Sequence, residues 1–152
     1  MKASRLRLLM NWWPPFWAAG IKVDQFSADY RQASVSLHAR WYNKNYVGTH
    51  FGGSLFAMTD PFYMIMYLQN LGRDYLVWDH SASIRFVRPG RGRVQANFVL
   101  EDQDLQQAIA ATASGEKFLR EHRIEIIDEQ QETVAEVVKT IYFRRKPPRN
   151  SS

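Results

Sequence analysis

The sequence predicts an α+β domain in which an antiparallel sheet of about six strands curls around one long buried helix. Three observations carry that expectation. Residues 52–71, GGSLFAMTDPFYMIMYLQNL, are apolar nearly all the way round a helix, and such a helix belongs inside a protein, wrapped by other elements. On either side lie segments that alternate apolar and polar residues, the pattern of strands with one face in the core. These strands are not regularly interleaved with helices, which disfavours a parallel doubly wound sheet.

At 152 residues and 45% hydrophobic content, residues 1–152 are expected to form a single domain with a sizeable core. Residues 1–19 form a helical extension at its start and residues 145–152 a flexible basic tail. The absence of cysteine excludes disulfides, thiolate metal sites and cysteine nucleophiles. Arg7 interrupts the first apolar run and Pro14-Pro15 follow it, so no export signal is read and a cytoplasmic location is expected. The unbroken apolar run 62–68 falls far short of the ~20 residues a bilayer requires, and no stable membrane insertion is expected. A net charge of +5 favours an anionic ligand. The dense run from Arg144 to Arg149 reads as a solvated end, and no nucleic-acid partner is expected.

In chain order, Leu6, Leu9, Met10 and Trp13 mark a one-faced helix over residues 4–13, ended by Pro14-Pro15. The cluster Trp12, Trp13, Phe16 and Trp17 is expected to pack over the domain or against a second subunit, with a membrane interface as the alternative. Residues 21–26 and 31–41 read as strands; the second places Ala33, Val35, Leu37, Ala39 and Trp41 on one side. A loop over 42–51 leads into the central helix. Strands over 76–88 and 93–101 flank the turn Pro89-Gly90-Arg91-Gly92. A short helix follows, opened by Asp104 as N-cap and closed at Gly115. Two last strands, 118–127 and 133–144, flank a turn at 128–132.

Asp60 stands out because burying an unpaired carboxylate in an apolar helix is costly. Its neighbour Pro61 removes a hydrogen bond to the carbonyl of Ala57 and should kink or restart the helix. Asp60 is then either the N-cap of a second helix starting at Pro61 or a functional carboxylate. The histidines, His38, His50, His80 and His122, show no metal-ligand spacing, and no metal site is expected. Asp79-His80-Ser81 holds the ingredients of a triad, but neighbours on a strand point to opposite faces. Gly52-Gly53-Ser54 lacks the Gly-x-Ser-x-Gly elbow of a serine hydrolase.

The segment Gly52-Gly53-Ser54-Leu55-Phe56-Ala57-Met58-Thr59-Asp60 resembles the GGxLFxxxD signature of hotdog-fold acyl-CoA thioesterases, in the branch of the phenylacetate-pathway enzyme. Two further blocks agree. Residues 81–90, SASIRFVRPG, are similar to that family's strand ending in Arg-Pro-Gly, and Ile124-Glu125-Ile126 with Gln131 and Thr133-Val134-Ala135 are similar to its penultimate hairpin. The longer start, the helix 104–115 and the Asp60-Pro61 pair look closer to a subgroup of tetrameric acyl-CoA thioesterases.

The resemblance implies that Asp60 is the general base or nucleophile and that the backbone amide of Gly53 polarises the thioester carbonyl. The family's His-Gly-Gly is here His50-Phe51-Gly52-Gly53, one residue longer, so that His50 either touches substrate or orients the loop. Asn45 stands where some members place an active-site Asn. Gly52 and Ser54 would border the substrate, and Ser81 and Ser83 would line the acyl or pantetheine channel. Hotdog hydratases carry a His five residues after the Asp; Ile65 stands there, which disfavours hydration.

Thioester hydrolysis needs an attacking or water-activating group and donors aimed at the carbonyl oxygen. On one continuous helix Gly53 and Asp60 would stand ~10.5 Å apart along the axis. The expected site is therefore shared between two subunits of a homodimer, with pairing into a homotetramer left open. Coenzyme A carries phosphates, for which Arg88 and Arg91, with Arg93, are the local candidates. The expected function is hydrolysis of acyl-CoA to free acid and CoA with no cofactor beyond the CoA of the substrate; the alternative is a non-catalytic acyl-CoA or lipid binder.

Overall fold

The computed structural model describes residues 1–147. Two helices, α1 (Ala3–Trp12) and α2 (Pro14–Ala19), precede β1 (Ile21–Phe26) and β2 (Gln32–His38). Helices α3 (Gly52–Ala57) and α4 (Phe62–Leu71) follow, then β3 (Tyr75–Phe86), β4 (Arg93–Val99), α5 (Asp102–Ala111), β5 (Lys117–Ile127) and β6 (Thr133–Arg145). All six strands form one sheet in the order β1-β2-β4-β5-β6-β3, and every neighbouring pair is antiparallel. This is the expected α+β hotdog architecture, a sheet wrapped around a central helical segment.

The sheet's apolar face closes on α4. Phe62 has no exposed surface and its ring stacks on Phe98 of β4 with centroids 4.7 Å apart, while Phe16 of α2 and Phe26 of β1 each lie 6.1 Å from it. Met66 and Tyr67, one turn further along α4, are also fully buried. Their positions follow from the i, i+4 spacing that puts Phe62, Met66 and Tyr63, Tyr67 over the same wall.

The central segment departs from the single helix expected over 52–71. Helix α3 tightens at its end into bonds from Thr59 N and Asp60 N to the carbonyls three residues back, and α4 begins only at Phe62. Pro61 supplies the reason: it has no N–H to continue the ladder, and its ring would collide with the Ala57 carbonyl, which instead accepts the Asp60 N–H at 3.1 Å. The Asp60-Pro61 peptide bond is cis. Pro61 itself occupies the N-cap of α4 and no side chain caps that helix, so Asp60 is not the N-cap that the Asp-Pro pair suggested.

Smaller differences have local causes. The strand expected to reach residue 41 ends at His38, where Ala39 N turns to the Gly92 carbonyl and the Asn43 side chain binds the carbonyls of Ala19 and His38. Trp41 is left almost fully exposed, at 90%. Helix α5 starts at Asp102, with Glu101 as its N-cap. Asp104 is the third helical residue, which returns a bond to the Glu101 N–H in a reciprocal capping box. On α1 the buried side chains are Ala3 and Met10, whereas Leu9 and Trp13, expected on the inner face, are about half exposed. The tail expected from residue 145 begins later: Arg145 closes β6 and Lys146 binds the carbonyls of Arg73 and Asp74. Residues 148–152 of that tail lie outside the described residues. Among the described residues, no helix is long and apolar enough to cross a membrane.

Candidate active site

Strand β3 lies at one edge of the sheet, and its register against β6 shifts between Asp79 and Ser81. Such a bulge adds one residue to a strand and changes which side chains face inward beyond it. Before the shift Val77 and Asp79 pair with Phe143 and Ile141; after it, Ala82 and Ile84 pair with Lys139 and Val137. All four partners belong to the inward face of β6.

A cavity of about 490 Å³ opens where this strand passes the broken central helix. Gly53, Phe56, Ala57 and Asp60 line it from α3 and the link to α4, Asp79, Ser81 and Ala82 from β3, and Trp13, Pro15 and Phe16 from the N-terminal helices. Lys139 of β6 completes the lining.

Lys139 is 1% exposed on a strand whose other inward side chains are Val137, Ile141 and Phe143. Its ammonium donates to Asp60 Oδ1 and, at 3.0 Å, to Asp79 Oδ2. The Asp60 side chain is 53% exposed, so the carboxylate stands at the mouth of the cavity rather than inside the core as expected. Burial alone would raise the Asp60 carboxyl; the hydrogen bond from Lys139 and its charge outweigh that and hold the group below the usual carboxylate range. Asp79 moves the opposite way: burial and the neighbouring Asp60 charge push it up, against the pull of Lys139. Asp60 is thus the more acidic of the two carboxyls and Asp79 the less acidic. Asp79 Oδ1 is buried and has no hydrogen-bond partner among the described residues.

Of the residues the sequence singled out, Asp60, Gly53 and Ser81 line this one cavity. Pro61 lies beyond Asp60, and helical or tightened-turn bonds continue from α3 through Asp60 N, so the break leaves the ~10.5 Å rise from Gly53 to Asp60 in place although both line the cavity. The N–H groups of Gly52 and Gly53 belong to the first turn of α3, which leaves such donors without intrahelical acceptors, and neither bonds within the described residues. A side chain at Gly53 would run into the Phe51 ring, at 2.5 Å from an ideal Cβ.

The remaining candidates lie apart from the cavity. His50 is buried, its N–H bonds the Gly90 carbonyl, and its ring Nε2 lies 2.9 Å from the Gly92 carbonyl. It pins the glycine-preceding loop to the β3–β4 turn, and burial lowers its pKa against the opposing bond to Gly92. Asn45 closes the same loop through Thr49 and the His50 carbonyl. Gly52 meets the Phe86 ring, Ser54 is buried within α3, and Ser83 is exposed outside the cavity because the bulge turns Ala82 inward instead. Arg88 is committed to Asp128 and Glu132. Arg91 is exposed. His80, the residue at the bulge itself, is exposed and does not line the cavity. Among the described residues no three or more His, Asp or Glu side chains are grouped to hold a metal ion.

The sequence reading missed Lys139 and the part Asp79 plays. The signal was present: in TVAEVVKTIYF a lysine occupies the apolar phase of an otherwise alternating strand, and a lysine there needs an acidic partner.

This fold recurs in solved structures. A Pseudomonas aeruginosa protein of unknown function, described as a probable thioesterase, superposes with a TM-score of 0.82 at 17% identity, covering 95% of this chain and 97% of that one. A Haemophilus influenzae thioesterase matches with a TM-score of 0.68 at 14% identity over 99% of this chain and 95% of that one. A mutant of the phenylacetic acid degradation protein PaaI of Thermus thermophilus matches with a TM-score of 0.59 at 24% identity over 85% of this chain and 97% of that one. No curated protein matches the sequence. The family model described as a domain of unknown function, DUF4442, matches residues 2–143, and the chain belongs to that family.

Proposed function

We propose that this protein hydrolyses acyl-CoA thioesters to the free acid and CoA. The observation that carries the reading is the convergence of Asp60 and the helix-opening Gly53 on one largely apolar cavity. The acyl group sits against Phe16, Phe56 and Trp13, and its thioester carbonyl accepts a hydrogen bond from the Gly53 amide, which faces negative charge as the carbonyl carbon becomes tetrahedral. The Asp60 carboxylate, held ionised, either takes a proton from the attacking water or itself attacks the carbonyl carbon. On the water route the C–S bond then breaks and the CoA thiolate leaves, taking up the proton held by Asp60. On the nucleophilic route the same cleavage leaves a mixed anhydride on Asp60, which water hydrolyses to the free acid, its proton going to the thiolate. Exposed Arg91 is the phosphate candidate, since the charge of Arg88 is already balanced.

Strand β3 supports a two-subunit site. It offers an unpaired edge of 12 residues beside the cavity mouth, flanked by exposed Leu76, Phe86 and Val87, and such an edge invites pairing with a second copy. Whether dimers pair further into a tetramer is decided by the mass of the assembly in solution.

The test is release of free thiol from a panel of acyl-CoAs by the native protein and by Asp60→Asn. A fall of ~100-fold or more in a folded variant supports hydrolysis with Asp60 at its centre. Acyl-CoA binding with no turnover of any chain length supports the non-catalytic binder instead.

A further inference from the structure

We infer that Lys139 and Asp79 are positioning residues for Asp60: the buried ammonium clamps the Asp60 carboxylate at the cavity mouth, and Asp79 clamps the ammonium from the neighbouring strand. The inference rests on the thioesterase reading for its kinetic consequence but not for its electrostatic one.

The geometry carries it. A lysine side chain loses most of its hydration when its surface is buried, and that cost is met only if the ammonium is paired and hydrogen-bonded. Lys139 meets both conditions with two carboxylates drawn from two different elements, the α3–α4 link and β3. The carboxylate on the link has about half its side chain exposed, while the one on β3 is 23% exposed. Within the link, Thr59 N and Asp60 N make only the tightened-turn bonds that end α3, and the Pro61 carbonyl accepts the Ile65 N–H of α4. A carboxylate on such a segment is free to rotate unless something outside the segment holds it, and Lys139 is that anchor. Its third neighbour, His122, stands in register with it on β5. Burial pushes the His122 imidazole down to about 4, so it faces the ammonium uncharged. The hydroxyl of Tyr67 on α4 lies 2.8 Å from His122 Nε2 and stays protonated, so Asp60 and Asp79 are the only charged partners of Lys139 among the described residues. Asp104 and Arg120, which also act on His122, pair with each other.

A residue that only fills space at Lys139 would be replaceable by an apolar side chain of similar length with no change in how Asp60 titrates. The experiment is therefore Lys139→Met in the full chain, read in two ways: steady-state kinetics across pH, and titration of the Asp60 carboxyl carbon by NMR. The expected result is a kcat lower by at least ~10-fold with KM within about twofold. The acidic limb of kcat/KM and the Asp60 titration should both move to higher pH by about one unit or more, since an opposite charge in contact is removed. An Asp60 titration that stays where it is in the native protein overturns the inference.

If Lys139→Met does not fold, Asp79→Asn decides the question, because it keeps the shape and a hydrogen-bond acceptor for Lys139. In the native protein the two carboxylates should titrate as a coupled pair, and in Asp79→Asn Asp60 should titrate in one step. Identical Asp60 curves in the two proteins overturn the inference. Should the native protein hydrolyse no thioester, the carbon titration still decides the clamp, and the functional reading fails alone.

Discussion

The ammonium of Lys139 is hydrogen-bonded to the carboxylate of Asp60, joining a sheet interior to the break in the central helix across 79 positions of sequence. This contact turns an otherwise destabilising residue, a lysine among valines and an isoleucine, into the floor of a cavity. It also sets Asp60, together with Asp79 on β3, apart from the carboxylates that lie in turns or on the surface or, like Asp104, cap a helix.

Proposed as a two-subunit enzyme, the protein should sediment at twice or four times its chain mass of 17.8 kDa. Sedimentation equilibrium distinguishes the dimer from the tetramer. A single species of chain mass through the micromolar range, together with full activity, would remove the partner subunit from the site.

Arg91→Glu should raise KM for acyl-CoA several-fold and leave kcat within about twofold, because a phosphate contact remote from the thioester contributes equally to ground and transition states. The matched control is Arg88→Gln, whose guanidinium already holds Asp128 and Glu132; its effect should fall on stability instead. An unchanged KM in Arg91→Glu sinks the phosphate assignment.

His122 should make the protein acid-labile. Its ring is buried, stacked on Tyr63 at 3.9 Å, and held down to about 4 mainly by that burial. A group with a depressed folded value contributes fully above its unfolded value, near 6.5, and that contribution is lost as pH falls toward about 4. The loss across that window is on the order of 3 kcal/mol. Thermal unfolding of native and His122→Gln proteins between pH 7 and 4.5 is the check: the native melting temperature should fall more steeply, and parallel curves would refute the assignment.

Phe62→Ala should destabilise the fold by ~3–5 kcal/mol, the range for emptying a fully buried aromatic site. The ring is completely buried and touches aromatic side chains from α2, β1 and β4, so its loss cannot be absorbed by one neighbour. Denaturant unfolding should show a lower midpoint with an unchanged slope.

How much could be read in advance differs between elements. The two long strands β5 and β6 were legible within two residues because their alternation is strict and one face is wet. The end of β2 was not, since Ala39 and Trp41 continue the apolar phase of the sequence, while the chain is turned away by a carbonyl of the distant β3–β4 turn and by the Asn43 side chain. The break at Pro61 was legible as one of two outcomes; that Asp60 would reach across to β6 instead of capping α4 was not, because no local pattern distinguishes a cap from a long-range pair.

The same division holds for the site. Apolar periodicity and alternation are properties of adjacent residues, and they determined the antiparallel sheet around a helical core; the candidacy of Gly53 and Asp60 came from the resemblance of the stretch 52–60 to a family signature. Which side chains meet around Asp60 was decided by the tertiary structure alone. A one-residue bulge rephases β3 so that Asp79, Ser81 and Ala82 all line the cavity, and the strand order places β6 beside it, bringing Lys139 under both carboxylates. Register and strand order arise from contacts between segments far apart in the chain, so the energy that selects them is not encoded in any short stretch.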